Sequence, residues 1–135
     1  MRCFALAMNP IVTQTVPLLL VCDIDRSRRF YCDGLGFEMT GTWEPDGKLA
    51  WRWLRHGGAA LMLQQACDED PPAADRGKGV VFYFLCEDAD AMHRHITDRG
   101  VRATKPKVAF YGMNQTFITD PDGYELCFEN PINDA

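Results

Sequence analysis

The chain has 135 residues, 47% hydrophobic and 24% charged, with a formal net charge of -5. That balance describes one globular domain with a real core, small enough that a partner subunit would help, and the acidic surplus argues against a nucleic-acid or anionic-membrane partner. No run reaches transmembrane length, and residues 1–20 carry Asn9, Thr13 and Gln14 where a secretory leader needs a continuous apolar stretch, so the expected location is cytoplasmic.

Residues 1–13 lack periodicity and are expected to form an arm, with Cys3, Phe4 and Leu6 able to pack on a neighbour. Thr15 to Val21 predicts a buried strand, and Pro17 places it at an edge or marks its beginning. Asp23 is a fitting helix N-cap, and Ile24, Tyr31 and Leu35 fall on one helical face before Gly34-Leu35-Gly36 stops it. Strands are predicted at 37–42, 49–55 and 59–65, separated by the turns Glu44-Pro45-Asp46-Gly47 and His56-Gly57-Gly58. In the second of these strands Trp51 and Trp53 share a face by alternation.

Cys67 to Gly79 has no apolar stripe and is expected to be a surface linker. A strand at 80–86 follows, then a helix capped by Asp88, with Ala89, Met92 and Ile96 on one face and Gly100 at its end. Residues 101–104, 115–119 and 124–129 are the remaining predicted strands, and Pro106 to Gly112 is an intervening loop. The last two strands are joined by Asp120-Pro121-Asp122-Gly123. Pro121 presets the first central position of a type I turn, Asp120 can bond the backbone ahead of it, and Gly123 relieves the exit.

A shift of 65 residues lays the second half over the first, placing Asp88 on Asp23, Ala89 on Ile24, Ile96 on Tyr31, Gly123 on Gly58 and Leu126 on Leu61. Each half is β-α-β-β-β. The expected organisation is a single domain over 1–135, with one module at about 14–66, the linker at 67–79 and a second module at about 80–131. The cysteines at 3, 22, 32, 67, 86 and 127 form no Cys-x-x-Cys pair, and buried reduced thiols are expected rather than disulfides or zinc.

The doubled unit, with Val21-Cys22-Asp23-Ile24-Asp25-Arg26-Ser27 leading to Phe30-Tyr31, then Leu35-Gly36-Phe37, and Asp120-Pro121-Asp122-Gly123-Tyr124-Glu125-Leu126 near the end, resembles the vicinal oxygen chelate superfamily. This is the glyoxalase, bleomycin-resistance and extradiol-dioxygenase group. The resemblance covers about Thr15 to Pro131, nearly the whole chain. It implies an α+β fold in which two βαβββ modules form cupped mixed sheets around a cavity, commonly in a homodimer. In enzyme members it implies a metal held by His, Gln or Glu from the first and last strand of each half. The matching positions here are Val16, Met62, Val81 and Cys127, none a usual ligand for those metals.

Other candidates for chemistry are sparse. His93 and His95 are two apart on a helix and cannot clamp one ion, and His56 sits in a turn, so all three are expected on the solvated surface. Cys127 has no evident base and is expected to pack inertly, and Glu125 and Glu129, on its strand face, are expected as solvated rim carboxylates. The positive signal is aromatic and soft. Trp51, Trp53, Met62, Tyr83, Phe110, Tyr111, Met113 and Cys127 are the candidate ligand-contacting residues, with Trp43 as a further aromatic.

The expected function is therefore metal-independent and cofactor-free binding of a small molecule, in the manner of the bleomycin-resistance branch that sequesters an aromatic or cationic antibiotic. The expected partners are that ligand and a second copy of the chain, with no nucleic acid and no membrane. The alternative is a lyase, isomerase or dioxygenase of the same superfamily whose metal is held by residues outside this alignment. Whether Trp51 and Trp53 line a cavity or fill the core is left open by alternation alone.

Overall fold

The computed structural model describes residues 10–47 and 50–132. Two sheets of identical topology carry the fold. In the first, β1 (Leu18–Val21), β2 (Glu38–Trp43), β3 (Trp51–His56) and β4 (Ala59–Gln65) are ordered β1-β4-β3-β2; in the second, β5 (Val81–Leu85), β6 (Lys107–Val108), β7 (Met113–Thr119) and β8 (Glu125–Pro131) are ordered β5-β8-β7-β6. The outer pairs β1/β4 and β5/β8 are parallel, and the remaining pairs are antiparallel.

Helix α1 (Ile24–Arg28) runs into a π-helical turn over Arg29–Gly34, and α2 spans Ala89–Asp98. Both begin at the expected aspartates. Asp23 (φ -143°, ψ 102°) accepts from the backbone N–H of Asp25 and Arg26, and Asp88 (φ -154°, ψ 105°) accepts from that of Ala91. The repeat is exact where the parallel strands pair: Leu18 lies opposite Met62 as Tyr83 lies opposite Cys127, each pair offset by 65. It slips by one residue on the next strand. Trp53 faces Met62 while Phe117, 64 positions further on, faces Cys127.

One core serves both halves. Leu19, Val21, Leu54, Leu61 and Leu63 of the first sheet and Ile118, Leu126 and Phe128 of the second cluster with Ile24, Tyr31 and Leu35 of the first helical segment and Ile96 of α2. The helix-bearing face of each sheet is thereby consumed, and among the described residues no helix covers the opposite, open face of either.

Three expectations are corrected. No strand forms over 101–104: Thr104 N–H donates to the Phe117 carbonyl (2.9 Å), but the reciprocal bonds involve side chains, the Thr104 hydroxyl accepting from Phe117 N–H (2.9 Å) and the Thr104 carbonyl from the Thr116 hydroxyl (2.7 Å). The short strand β6 forms beyond Pro106, inside the expected loop, where donors are again available to β7. Val16 precedes the strand expected to contain it, since β1 begins at Leu18. The expectations for Cys3, Phe4, Leu6 and the strand start at Leu49 lie outside the described residues.

The Asp120–Gly123 turn fastens the two halves together. Its internal bonds are Asp122 N–H and Tyr124 N–H to Asp120 Oδ1 (2.8 and 2.9 Å) and Gly123 N–H to the Asp120 carbonyl (3.0 Å), with Gly123 at φ +96°, where a side chain would be strained. Outward, Asp122 accepts from Cys22 N–H (2.8 Å) and pairs with Arg76 (3.6 Å), while Tyr124 donates its hydroxyl to the Leu20 carbonyl (2.9 Å). A turn of the second half thus holds the strand-to-helix junction of the first.

Candidate functional site

The open face of the first sheet is built by alternation from Leu18 and Leu20 on β1, Met62 and Gln64 on β4, Trp51 and Trp53 on β3, and Gly41 and Trp43 on β2. Trp51 and Trp53 meet edge to face at 6.3 Å, and both are half-buried. They lie on the side away from the core. Arg52, between them, points the other way and is buried, ion-paired to Asp25 at 3.5 Å and in contact with the Met39 sulfur.

The open face of the second sheet carries Val81, Tyr83 and Leu85 on β5, Glu125, Cys127 and Glu129 on β8, and Met113, Gln115 and Phe117 on β7. Leu85 is 74% exposed, and Val81 and Tyr83 nearly half. Cys127 is nevertheless buried, because Tyr83 and Phe117 flank it on the adjacent strands with ring centroids 6.4 Å apart. That desolvation, with a smaller contribution from the Glu129 charge, pushes its thiol up to about 12. A thiol so placed stays protonated at neutral pH and is a poor nucleophile.

Beside it, Gln115 Nε2 donates to Tyr111 Oη (2.6 Å) and to Glu129 Oε1 (2.9 Å). Gln115 and Glu129 are 7% and 8% exposed, so the expectation of a solvated rim carboxylate is corrected for Glu129. It accepts from Gln115 on the adjacent strand β7, whose amide is also bonded to the Tyr111 hydroxyl. Glu125 remains half-buried and accepts from the Thr119 hydroxyl at 2.9 Å. Phe110 is 100% exposed and meets Tyr111 edge to face at 5.1 Å.

The histidines are not free surface groups. His93 Nδ1 lies 3.3 Å from the Thr116 hydroxyl, and His95 Nε2 is buried with no hydrogen-bond partner among the described residues. His56 and His95 come from different halves yet converge on Gly36, where a Cβ would lie 3.4 Å from His56 Nε2 and 3.2 Å from His95 Nε2. Burial, then Arg99 and His56, lower the His95 pKa from its ordinary value.

The donor set tests whether the superfamily's metal fits. Of the four family positions, Val16 and Val81 offer no donor, Met62 offers only a thioether and Cys127 a protonated thiol. No group of three or more His, Cys, Asp or Glu side chains gathers with metal-binding geometry among the described residues. These residues do not fit a hard divalent ion.

Of the expected ligand-contacting residues, Trp51, Trp53 and Met62 share the open face of the first sheet, and Tyr83, Met113 and Cys127 share that of the second. Phe110 and Tyr111 stand on the turn into β7. A cavity of about 710 Å³ runs along the unpaired edge of β5, lined by Phe37, His56, Tyr83, Phe84, Met92 and Phe128 among others; of the eight it takes only Tyr83. The structure therefore brings them together as two faces rather than one enclosed pocket. Gln115 and Glu129 escaped the sequence reading as a pair, although the alternation of β8 places Glu129 two residues from Cys127.

Comparison with known structures gives close agreement in fold. TnmS3, an antibiotic binding protein from Streptomyces sp. CB03234, superposes with a TM-score of 0.72 at 21% identity, covering 91% of this chain and 99% of that one. TioX from Micromonospora sp. ML1 superposes at 0.69 and 17% identity, covering 91% and 99%, and a glyoxalase-related enzyme from Clostridium phytofermentans at 0.72 and 18%, covering 93% and 99%. A search of curated proteins finds no match. The family model for the Glyoxalase/Bleomycin resistance protein/Dioxygenase superfamily matches residues 10–128, and the chain belongs to that superfamily.

Proposed function

We propose that this protein is a metal-independent binding protein for a small aromatic or cationic molecule of the antibiotic class, and that two copies pair to close the site. The observation that carries this reading is the pair of open sheet faces. Trp51, Trp53 and Met62 on one, and Tyr83, Met113 and Phe117 on the other, are apolar and aromatic, while the helix-bearing faces are already used in the core. An apolar face left open in a single chain costs solvation free energy that a ligand and a second copy would recover. The superfamily's small-molecule binders, and the shared fold with TnmS3, an antibiotic binding protein, support the ligand class. The modules at 14–66 and 80–131 would then act as one functional domain, each contributing one wall. No described helix is long and apolar enough to cross a membrane, and the cytoplasm is the proposed location.

Such a site supplies affinity and little catalysis, because aromatic walls offer stacking without an electrophile. The test combines light scattering with a titration that follows tryptophan fluorescence. A dimer mass, together with saturable quenching by a planar aromatic such as acridine, is the expected result. Leu85→Lys, which puts a charge on the open face of the second sheet, should shift the mass toward the monomer. A monomeric wild-type protein would overturn the pairing of two copies, and stoichiometric iron, manganese, nickel or zinc in protein purified without a chelating tag would overturn the reading in favour of a metal-dependent lyase, isomerase or dioxygenase.

A further inference from the structure

Resting on that reading, we propose that Glu129 is the residue that selects the ligand, and that it takes a planar aromatic carrying a cationic N–H donor such as a ring-bound amine. Glu129 projects from β8 on the open face of the second sheet, opposite Leu85 of β5 and Gln115 of β7. Its carboxylate is held in place: Oε1 accepts from Gln115 Nε2, whose amide is itself fixed on the Tyr111 hydroxyl.

The charge is not matched. Among the described residues, no Lys, Arg or His lies within ion-pair distance of Glu129, whereas Arg26, Arg28, Arg52, Arg76 and Lys78 all pair elsewhere. Among the described residues its second oxygen accepts no hydrogen bond, and it is not one of the side-chain atoms sealed from solvent without a partner. A carboxylate more than nine-tenths buried, whose one side-chain partner among the described residues is a neutral amide, is an unfavourable arrangement that a cationic donor would relieve.

The surroundings fix the rest of the ligand's chemistry. Tyr83 and Phe117 flank Cys127, two residues from Glu129 on the same strand face, and the Tyr111 hydroxyl is bonded to the Gln115 amide that also bonds Glu129, so aromatic side chains neighbour the carboxylate and suit a flat, positively charged ring system. A metal ion is the poorer fit, since the neighbouring groups are an amide, a protonated thiol and tyrosines. The net charge of -5 favours cations at longer range.

A purely structural role, in which Glu129 only anchors Gln115 and Tyr111, makes a different prediction, because glutamine can accept the same hydrogen bond without the charge. The experiment titrates the native protein and Glu129→Gln at pH 7.5 with 9-aminoacridine, a cation at that pH, and with acridine, its neutral parent. Wild type should bind the cation about tenfold or more tightly than the neutral ring, as expected for a charge-assisted bond. Glu129→Gln should abolish that preference, leave acridine binding unchanged and melt near wild type. Equal affinity of wild type for both dyes overturns the proposal whatever the variant does, and so does a variant that keeps the preference or loses both dyes alike. If acridine binds, the binding reading survives that result; if neither dye binds the wild-type protein, the binding reading fails together with the proposal.

Discussion

The hydroxyl of Tyr31 donates to Asp120 Oδ2 at 2.7 Å, tying the helical segment of the first half to the Asp-Pro-Asp-Gly turn of the second. Tyr31 is fully buried. Burial raises the Asp120 pKa above its ordinary 3.8, and the bonds from Tyr31, Tyr124 and Asp122 oppose that rise.

Tyr31→Phe should therefore lower stability by about 1–3 kcal/mol, the usual result of leaving one buried acceptor short of a donor. It should also move the Asp120 titration further upward, read by carboxyl carbon chemical shift. The sign for Asp120 follows from linkage: its folded pKa lies above the unfolded value, so the ionised carboxylate costs stability above that window and the cost is relieved as pH falls through it. An unchanged titration in Tyr31→Phe would show that the hydroxyl does not act on the carboxylate.

His95 should contribute with the opposite slope. Its folded pKa lies below the ordinary 6.5, because burial, Arg99 and His56 all oppose the imidazolium, while Asp98 weakly favours it. The folded state thus binds fewer protons than the unfolded one, and this contribution is present above pH 6.5 and is lost as pH falls toward the depressed value. Melting temperature should decline between pH 7.5 and 5.5, and His95→Gln should flatten that decline. A ring-proton titration midpoint for His95 at or above the ordinary value would exclude this account.

The thiols should separate by exposure. Cys22 and Cys67 are exposed, Cys32 and Cys86 half-buried with burial raising their pKa values, and Cys127 buried with its thiol near 12. Maleimide labelling at pH 7.5, mapped by mass spectrometry, should modify Cys22 and Cys67 first and Cys127 only on unfolding. Prompt labelling of Cys127 would mean that Tyr83 and Phe117 do not cover it. The expectation of uniformly buried thiols is corrected for Cys22 and Cys67, which sit beyond the ends of β1 and β4 rather than within them.

Trp53 and Leu54 are neighbours on β3 that face opposite ways, and their truncation should separate binding from stability. Leu54 is fully buried in the shared core, so Leu54→Ala should cost about 2–5 kcal/mol of stability. Trp53→Ala, on the open face, should lower the melting temperature much less while weakening acridine by about 1–3 kcal/mol. Equal destabilisation by the two would make Trp53 a core residue and leave the second sheet to carry the site.

Most of the fold was legible in the chain itself, because its determinants are local. Asp23 and Asp88 cap helices through side-chain oxygens that reach only a few residues, and Asp120-Pro121-Asp122-Gly123 closes its turn with its own backbone. Alternation assigned Trp51 with Trp53, and Glu125 with Cys127 and Glu129, to common faces, since a strand has only two. Tertiary structure alone decided which face is open, because that depends on the two halves sharing one core through residues as distant as Leu19 and Phe128. For the same reason sequence placed Glu129 on the rim and the histidines in solvent. Glu129 is bonded to Gln115 of another strand, and the buried Nε2 of His95 lies beside Gly36 of the other half, so neither placement is a local property of the sequence. The short strand at 107–108 in place of 101–104 has the same origin: one backbone bond joins Thr104 to Phe117, while the hydroxyls of Thr104 and Thr116 take the reciprocal groups, and nothing within the 101–104 segment announces it.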